Sequence, residues 1–329
     1  MRAMIVFNPT AGQSEALEAE LTLAAEVWRT EGWQVDLCPT TAPGAGTSLA
    51  KMAAEQHYDV VVAAGGDGTI NDVINGLVGS NTALATLPLG TVNVWARELG
   101  LPMQPAAAAT MLLHWKPRAI DLGRIGSRYF LLMAGIGLDA EIAGGINATQ
   151  KKYFGALAYI LRAIEIALSI RGTRVQLILD GKQKIKGRIL LIVVGNTQLY
   201  GGVVKITNRA SIDDGLLDVC VIKGDSLASA LLHTVLIFGQ RYSLDPEIAY
   251  YRARKIHIVA KPALPVQVDG DLMGKTPVTI EVMPHALQAL LPPELPDNLM
   301  QSQPATATRS SRSIHRLLAW LSGWRRKGR

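Results

Sequence analysis

The sequence predicts an α/β domain with a parallel sheet, then a β-rich, sandwich-like domain, then a separate basic tail. Three observations carry that expectation. Short apolar runs alternate with helical patterns up to about residue 122, as in βαβ units whose strands are buried on both faces. Beyond that point strand patterns follow one another with little helical interruption. From residue 294 a proline-marked break and a polar linker give way to arginines. The expected units are residues 1–122, 123–293 and 294–329.

A chain of 329 residues is long enough for two ordinary cores. Hydrophobic residues make up 49% and charged residues 18%, a globular composition. Cys38 and Cys220 are too few for a disulfide framework and lack metal-ligand spacing, so a reducing, cytoplasmic setting is expected. The chain opens directly on a strand pattern, unlike a signal peptide. The longest apolar helical stretch, residues 153–170, carries Arg162 and Glu165, which argues against a membrane span. Arg309, Arg312, Arg316, Arg325, Arg326, Lys327 and Arg329 concentrate the net charge of +6 in the tail. The rest is near neutral, and nucleic acid is not an expected partner.

In chain order, residues 3–7 form a strand that ends in Asn8-Pro9-Thr10-Ala11-Gly12. A helix over residues 14–30, a strand over 33–37 and a short helix over 49–56 follow. The strand at 60–64 runs into Gly65-Gly66-Asp67-Gly68-Thr69, and Ile70, Val73, Ile74 and Leu77 continue at helical spacing. Thr69 is expected as the N-cap, with Asp72 returning the bond in a capping box. Three glycines in four positions clear side chains from the backbone, so amides at a helix N-terminus can meet an anion. Asp67 and Asn71 have no packing role in this reading, which marks them for function. A fourth strand, 83–87, ends in Gly90-Thr91-Val92-Asn93. Ligands of parallel sheets sit beyond the carboxyl ends of the strands, so these turns are expected to share one crevice.

In the second half, strands are expected at residues 129–133, 175–179, 189–194, 216–222, 255–259, 266–268 and 278–282. Asp180-Gly181 reads as a hairpin turn. A helix over residues 151–170 is expected to pack its apolar face on the core. Two strings imitate nucleotide motifs. Gly135-Ile136-Gly137-Leu138-Asp139-Ala140 lacks the second strand with an acidic end that dinucleotide binding requires. Gly274-Lys275-Thr276 has Asp269 where a P-loop needs its first glycine. The six histidines show no metal spacing.

Taken together, NPTAG at 8–12, GGDGTIND at 65–72 and PLGTVN at 88–93 resemble the diacylglycerol kinase catalytic family. That family includes the sphingosine kinases and is distantly related to NAD kinases. The resemblance implies ATP contacts at Asn8, Pro9, Thr10, Ala11, Gly12, Thr41, Gly65, Gly66, Asp67, Gly68, Thr69, Asn71, Gly90, Thr91 and Asn93. Residues 210–218 resemble a segment that binds a structural Mg2+, which implies Asp214 with the carbonyls of Ser211 and Leu216. Asp121 matches an aspartate used near the metal. Asp269-Gly270-Asp271 resembles the DGE segment that supplies the catalytic carboxylates, with Asp271 one methylene shorter than Glu. A positioned carboxylate can take the proton of an attacking hydroxyl. Asp269 is preferred for that task, with Asp271 next.

The resemblance therefore implies an ATP- and Mg2+-dependent kinase of a lipid alcohol, by default diacylglycerol, acting in the cleft between the two domains. A sphingoid base, a soluble alcohol such as NAD, or a catalytically silent nucleotide- or lipid-binding regulator stay as alternatives. In the tail, Ile314, Leu317, Leu318 and Leu321 share one helical face, with Trp320, Trp324 and arginines beside it. That pattern is expected to dock on an anionic membrane surface, giving a cytoplasmic protein with peripheral membrane association. A homodimer is compatible with the sequence.

Overall fold

The computed structural model describes residues 1–9, 14–137, 172–224, 247–296 and 299–301. Thr10, Ala11 and Gly12, the helix expected over residues 151–170 and the tail helix lie outside the described residues. The first region alternates as expected: β1 (Arg2–Phe7), α1 (Ser14–Thr30), β2 (Gln34–Pro39), α2 (Ala45–Glu55), β3 (Val60–Gly65), α3 (Asp67–Leu77) and β4 (Ala83–Pro88). The strands run parallel in the order β2-β1-β3-β4. Every residue of β3 and β4 is buried, as strands covered on both faces must be. Two short helices, α4 (Val94–Glu98) and α5 (Pro105–Leu112), complete this half.

The second region is built from β5 (Lys116–Ile125), β6 (Arg128–Phe130), β7 (Met133–Gly137), β8 (Thr173–Leu179), β9 (Gln183–Gly195), β10 (Leu199–Tyr200), β11 (Val204–Lys205) and β12 (Leu217–Lys223). It continues with β13 (Ile248–Ala253), β14 (Lys255–Lys261), β15 (Pro265–Val268), β16 (Asp271–Lys275) and β17 (Val278–Leu291). The turn between β8 and β9 uses Asp180 at φ 50° and Gly181 at φ 69°, the left-handed pair expected of a tight hairpin. Among the described residues one hydrogen-bonded sheet contains fifteen strands, with β16 at one end and β2 at the other.

The long strand β17 joins the two regions. It pairs antiparallel with β5 from Ile280 to Leu291, while its first residues also pair with β14 and Ala289 meets Leu84 of β4. Leu287, Leu290, Leu291, Leu295 and Leu299 therefore enter the same core as β1, β3 and α3. A second core gathers Phe130, Ile136, Val194, Val219, Val268 and Ile280. The two active regions are thus held on one continuous framework. Among the described residues no helix is long and apolar enough to cross a membrane.

Several expectations need correction. The strand expected at 129–133 is two strands, β6 and β7, because the amides between them turn aside to a carboxylate described below. The strand expected at 278–282 continues to Leu291. Helix α2 starts earlier than expected, after Gly44 takes a left-handed φ of 80°. Asp121, which the resemblance places near the metal, lies inside β5 and is fully buried. Gly274 and Lys275 belong to β16, in keeping with the rejection of a P-loop there, while the string at 135–140 runs from β7 out of the described residues.

Candidate active site

The parallel strands end in register: Phe7 opposite Pro39 and Ala64, and Gly65 opposite Pro88. The turns that follow are tied together by Thr40 N–H donating to the Phe7 carbonyl at 2.8 Å and Leu89 N–H to the Gly65 carbonyl at 3.1 Å. Asn8, Thr41, Gly66 to Thr69 and Gly90 to Asn93 consequently lie together at the carboxyl end of the parallel sheet. Gly66 and Gly90 lie back to back, so a Cβ on Gly90 would stand 2.6 Å from the Gly66 Cα. Gly65 is required for a similar reason, since a Cβ there would collide with the Thr69 side chain. Gly68 and Thr91 are exposed at the mouth.

Helix α3 begins at Asp67, with Gly66 as an extended N-cap at φ −91° and ψ −174°. Thr69 is therefore in the first turn, and the expected capping box is absent. The start moves forward because Asp67 has a different duty. Its carboxylate accepts the amides of Val94 at 3.1 Å and Trp95 at 3.3 Å, capping α4 and locking the two glycine turns together. Burial raises its pKa, and those amides oppose the rise. Asn93, at φ 51°, clips its own turn by accepting from Gly90 N–H at 3.0 Å and donating to the Gly90 carbonyl at 2.7 Å.

Asn71 also has a structural task that the sequence did not show. It is buried, and its Nδ2 donates to Asp269 Oδ2 at 2.8 Å and to the Tyr129 carbonyl at 3.2 Å. The Asp269 carboxylate is turned inward. Its Oδ2 also accepts Leu131 N–H at 2.9 Å, and its Oδ1 accepts Leu132 N–H at 3.0 Å and Met133 N–H at 2.9 Å. Burial pushes its pKa up to about 6, against the pull of these four donors. This geometry weighs against Asp269, the preferred proton acceptor of the sequence reading, as the group that meets the hydroxyl. Both oxygens are fully engaged, so a substrate hydroxyl would have to displace a backbone bond to reach one.

Asp271 has the opposite setting. The turn through Asp269 at φ 47° and Gly270 at φ 94° brings the chain back to the surface, and the Asp271 side chain is 62% exposed. Its Oδ2 stands 3.6 Å from an Arg128 guanidinium nitrogen, which is also 3.5 Å from Asp72 Oδ1 on α3. The helix that begins at the glycine turn and the strand that begins at Asp271 therefore face one another.

The acidic segment 210–218 lies around a cavity of about 390 Å3 lined by Asp213, Asp214, Gly215, Arg254, Val282, Pro284 and His285. Asp121 is its buried anchor: one oxygen accepts Gly215 N–H at 2.6 Å and the other His285 N–H at 2.8 Å. Burial raises its pKa, and nearby Asp213 adds to the rise. Ser211 Oγ donates to Asp213 Oδ1 at 2.8 Å. Asp214 accepts Leu216 N–H at 2.9 Å and is ion-paired with Arg252, which also approaches Asp218 at 3.3 Å. Burial pushes Asp218 up to about 7. Among the described residues no three His, Cys, Asp or Glu side chains converge as a metal-binding group. Carbonyl oxygens such as those of Ser211 and Leu216 would have to supply part of any shell.

Sequence reasoning missed Asn75, Glu98 and Arg128. Asn75 accepts Tyr129 N–H at 2.9 Å and donates to the Tyr129 carbonyl at 3.0 Å, stapling β6 to α3. Its position one helical turn after Asn71 was the available signal. Glu98 is buried and accepts the amides of Gln198, at 2.7 Å, and Leu199, with burial pushing its pKa up to about 6. Nothing local in the sequence marks Arg128.

Comparison with known proteins matches residues 2–125 to the diacylglycerol kinase catalytic domain and residues 133–291 to the YegS C-terminal NAD kinase beta sandwich-like domain. A diacylglycerol kinase of Bacillus subtilis (strain 168) is 31% identical over 301 residues, spanning 91% of this chain and 99% of the relative. A diacylglycerol kinase of Staphylococcus carnosus (strain TM300) is 27% identical over 296 residues, spanning 89% and 96%. A crystal structure of a diacylglycerol kinase from Bacillus anthracis str. Sterne superposes with a TM-score of 0.73 at 26% identity, covering 89% of this chain and 97% of that one.

Proposed function

The chain belongs to the diacylglycerol kinase catalytic family, and from that premise we propose that it transfers the γ-phosphoryl group of ATP to the hydroxyl of diacylglycerol, giving phosphatidic acid. The observation that carries the reading is the Asn71–Asp269 bond of 2.8 Å, which ties the helix of the glycine turn to the segment bearing Asp271. A nucleotide held at the turns and a carboxylate at the far wall then face one another across a fixed gap.

In this reading the amides at the N-terminus of α3 and the turns at Asn8 to Gly12 and Gly90 to Asn93 hold the phosphates, with Thr41 at the crevice edge. Helix N-termini favour phosphate by dipole and by free donors. Asp67, Asn71 and Asn93 shape these turns from behind. The acceptor oxygen attacks the γ-phosphorus, the bond to the β–γ bridging oxygen breaks and ADP leaves. Asp271 takes the hydroxyl proton. Asp269 stays ionised and holds the amides of residues 131–133, which fixes where Asp271 begins. Catalysis is chiefly positioning and charge stabilisation, as phosphoryl transfer requires.

Magnesium is assigned to the acidic segment, through Asp214 and the carbonyls of Ser211 and Leu216, with Asp121 behind them. The chemistry of the donor set fits: these are hard oxygens, and burial raises both Asp121 and Asp218, so the segment gains from added positive charge. Arg252 supplies that charge in this structure and would yield Asp214 to the ion. When bound, magnesium neutralises phosphate charge or stiffens the segment. Contact with a membrane surface through residues 302–329 is part of the same proposal, since diacylglycerol resides in a bilayer.

The test is to incubate the protein with γ-labelled ATP, magnesium and vesicles containing diacylglycerol or a sphingoid base, with NAD as a soluble acceptor. Label in the organic phase, dependent on diacylglycerol, is the expected result. Label that stays in an aqueous product contradicts it.

A further inference from the structure

The triad Asp72–Arg128–Asp271 lies outside the roles assigned above. We propose that Arg128 is a positioning residue for phosphoryl transfer: it holds the Asp271 carboxylate toward the crevice by pairing it with Asp72 of α3. This inference rests on the kinase reading and deepens its account of Asp271.

Three observations carry it. First, the bridge spans the two walls of the site, because Asp72 belongs to the glycine-turn helix and Asp271 opens β16. Second, Arg128 is presented from a fixed strand. Tyr129, its neighbour, is pinned to α3 by Asn75 at 2.9 and 3.0 Å and by Asn71 at 3.2 Å. Asn71 also holds Asp269, two positions before Asp271, so both ends of the bridge are referenced to one side chain. Third, the bridge does little for stability. Arg128 and Asp72 are 27% exposed and Asp271 is 62% exposed, and solvent and salt screen ion pairs in such settings. Asp271 follows a turn with two left-handed residues, so its backbone direction is set. Its exposed carboxylate is restrained by the charge of Arg128. At 3.5 and 3.6 Å the contacts are charge pairings, loose enough for Asp271 to accept a proton without first breaking a short bond.

The experiment compares wild type with Arg128→Met, Arg128→Lys and Asp72→Asn, using whichever acceptor the wild type labels. Arg128→Met is expected to lower kcat about ten- to a hundredfold with KM for ATP unchanged, because a misdirected group costs rate and not nucleotide binding. Arg128→Lys should recover part of the loss, and Asp72→Asn should lower kcat less than Arg128→Met. Thermal unfolding of all three should match wild type. An unchanged kcat in Arg128→Met, or a loss confined to KM for ATP, overturns the inference. So does equal inactivity of Arg128→Lys and Arg128→Met. Wild-type label in an aqueous acceptor would instead overturn the lipid reading, while the kcat pattern would still decide the role of Arg128.

Discussion

The turn at Gly65 to Thr69 and the turn at Asp269 to Asp271 prepare for charge by opposite means. The first removes side chains, so that backbone amides and a helix dipole are open to an anion. The second adds two acids and separates them by environment. Asp269 is turned inward onto four N–H groups, and Asp271 is exposed beside a single arginine. The contrast teaches that identical residues two positions apart can divide the labour. One aligns the backbone, and in the proposed mechanism the other takes the proton.

The division can be broken most severely at Asp271. Asp271→Asn should lower kcat by about 10²–10⁴-fold, the usual worth of a positioned proton acceptor, with unfolding unchanged. Asp269→Asn should do the reverse and act first on the fold. An amide nitrogen at the Oδ2 position would face the Leu131 N–H and the Asn71 Nδ2, at about 1–3 kcal/mol each, readable by chemical denaturation. Equal loss of stability in both variants would erase the contrast. On the glycine side, Gly90→Ala would force a Cβ to within 2.6 Å of the Gly66 Cα. Separating those backbones should cost about 1–3 kcal/mol and raise KM for ATP more than it lowers kcat.

A further effect is expected on the pH dependence of stability. Burial raises Asp269 to about 6, Glu98 to about 6 and Asp218 to about 7, so the folded state binds these protons more tightly than the unfolded chain. Their contribution is fully present below the unfolded values near 4 and is lost as pH rises through 6 to 7. Glu281, held low by Lys255 and Arg124, acts oppositely and loses its contribution as pH falls. Denaturant midpoints should therefore decline gently from pH 5 to pH 7.5 and then level. A midpoint that rises over that range contradicts the assignment of buried acids.

The parallel sheet was legible because short apolar runs alternate with helix patterns, and Val60 to Ala64, buried throughout, is the plainest instance. The glycine turns were legible for the same local reason. Asp67 and Asn71 were noticed, but their partners lie far along the chain, at Val94, Trp95 and Asp269. No local pattern reports such partners. The break between β6 and β7 was hidden likewise, since only the fold brings a carboxylate to the amides of residues 131–133. Strand β16 escaped notice because all its residues are exposed and it has no alternation to read.

The central claim is that a nucleotide at the glycine turns faces Asp271 across a fixed cleft. Single-turnover transfer from ATP to diacylglycerol in vesicles, run with Asp271→Asn at saturating nucleotide, tests it most directly. The account predicts wild-type nucleotide affinity with transfer slowed by at least about a hundredfold. Transfer at the wild-type rate by Asp271→Asn, with nucleotide bound, would contradict it.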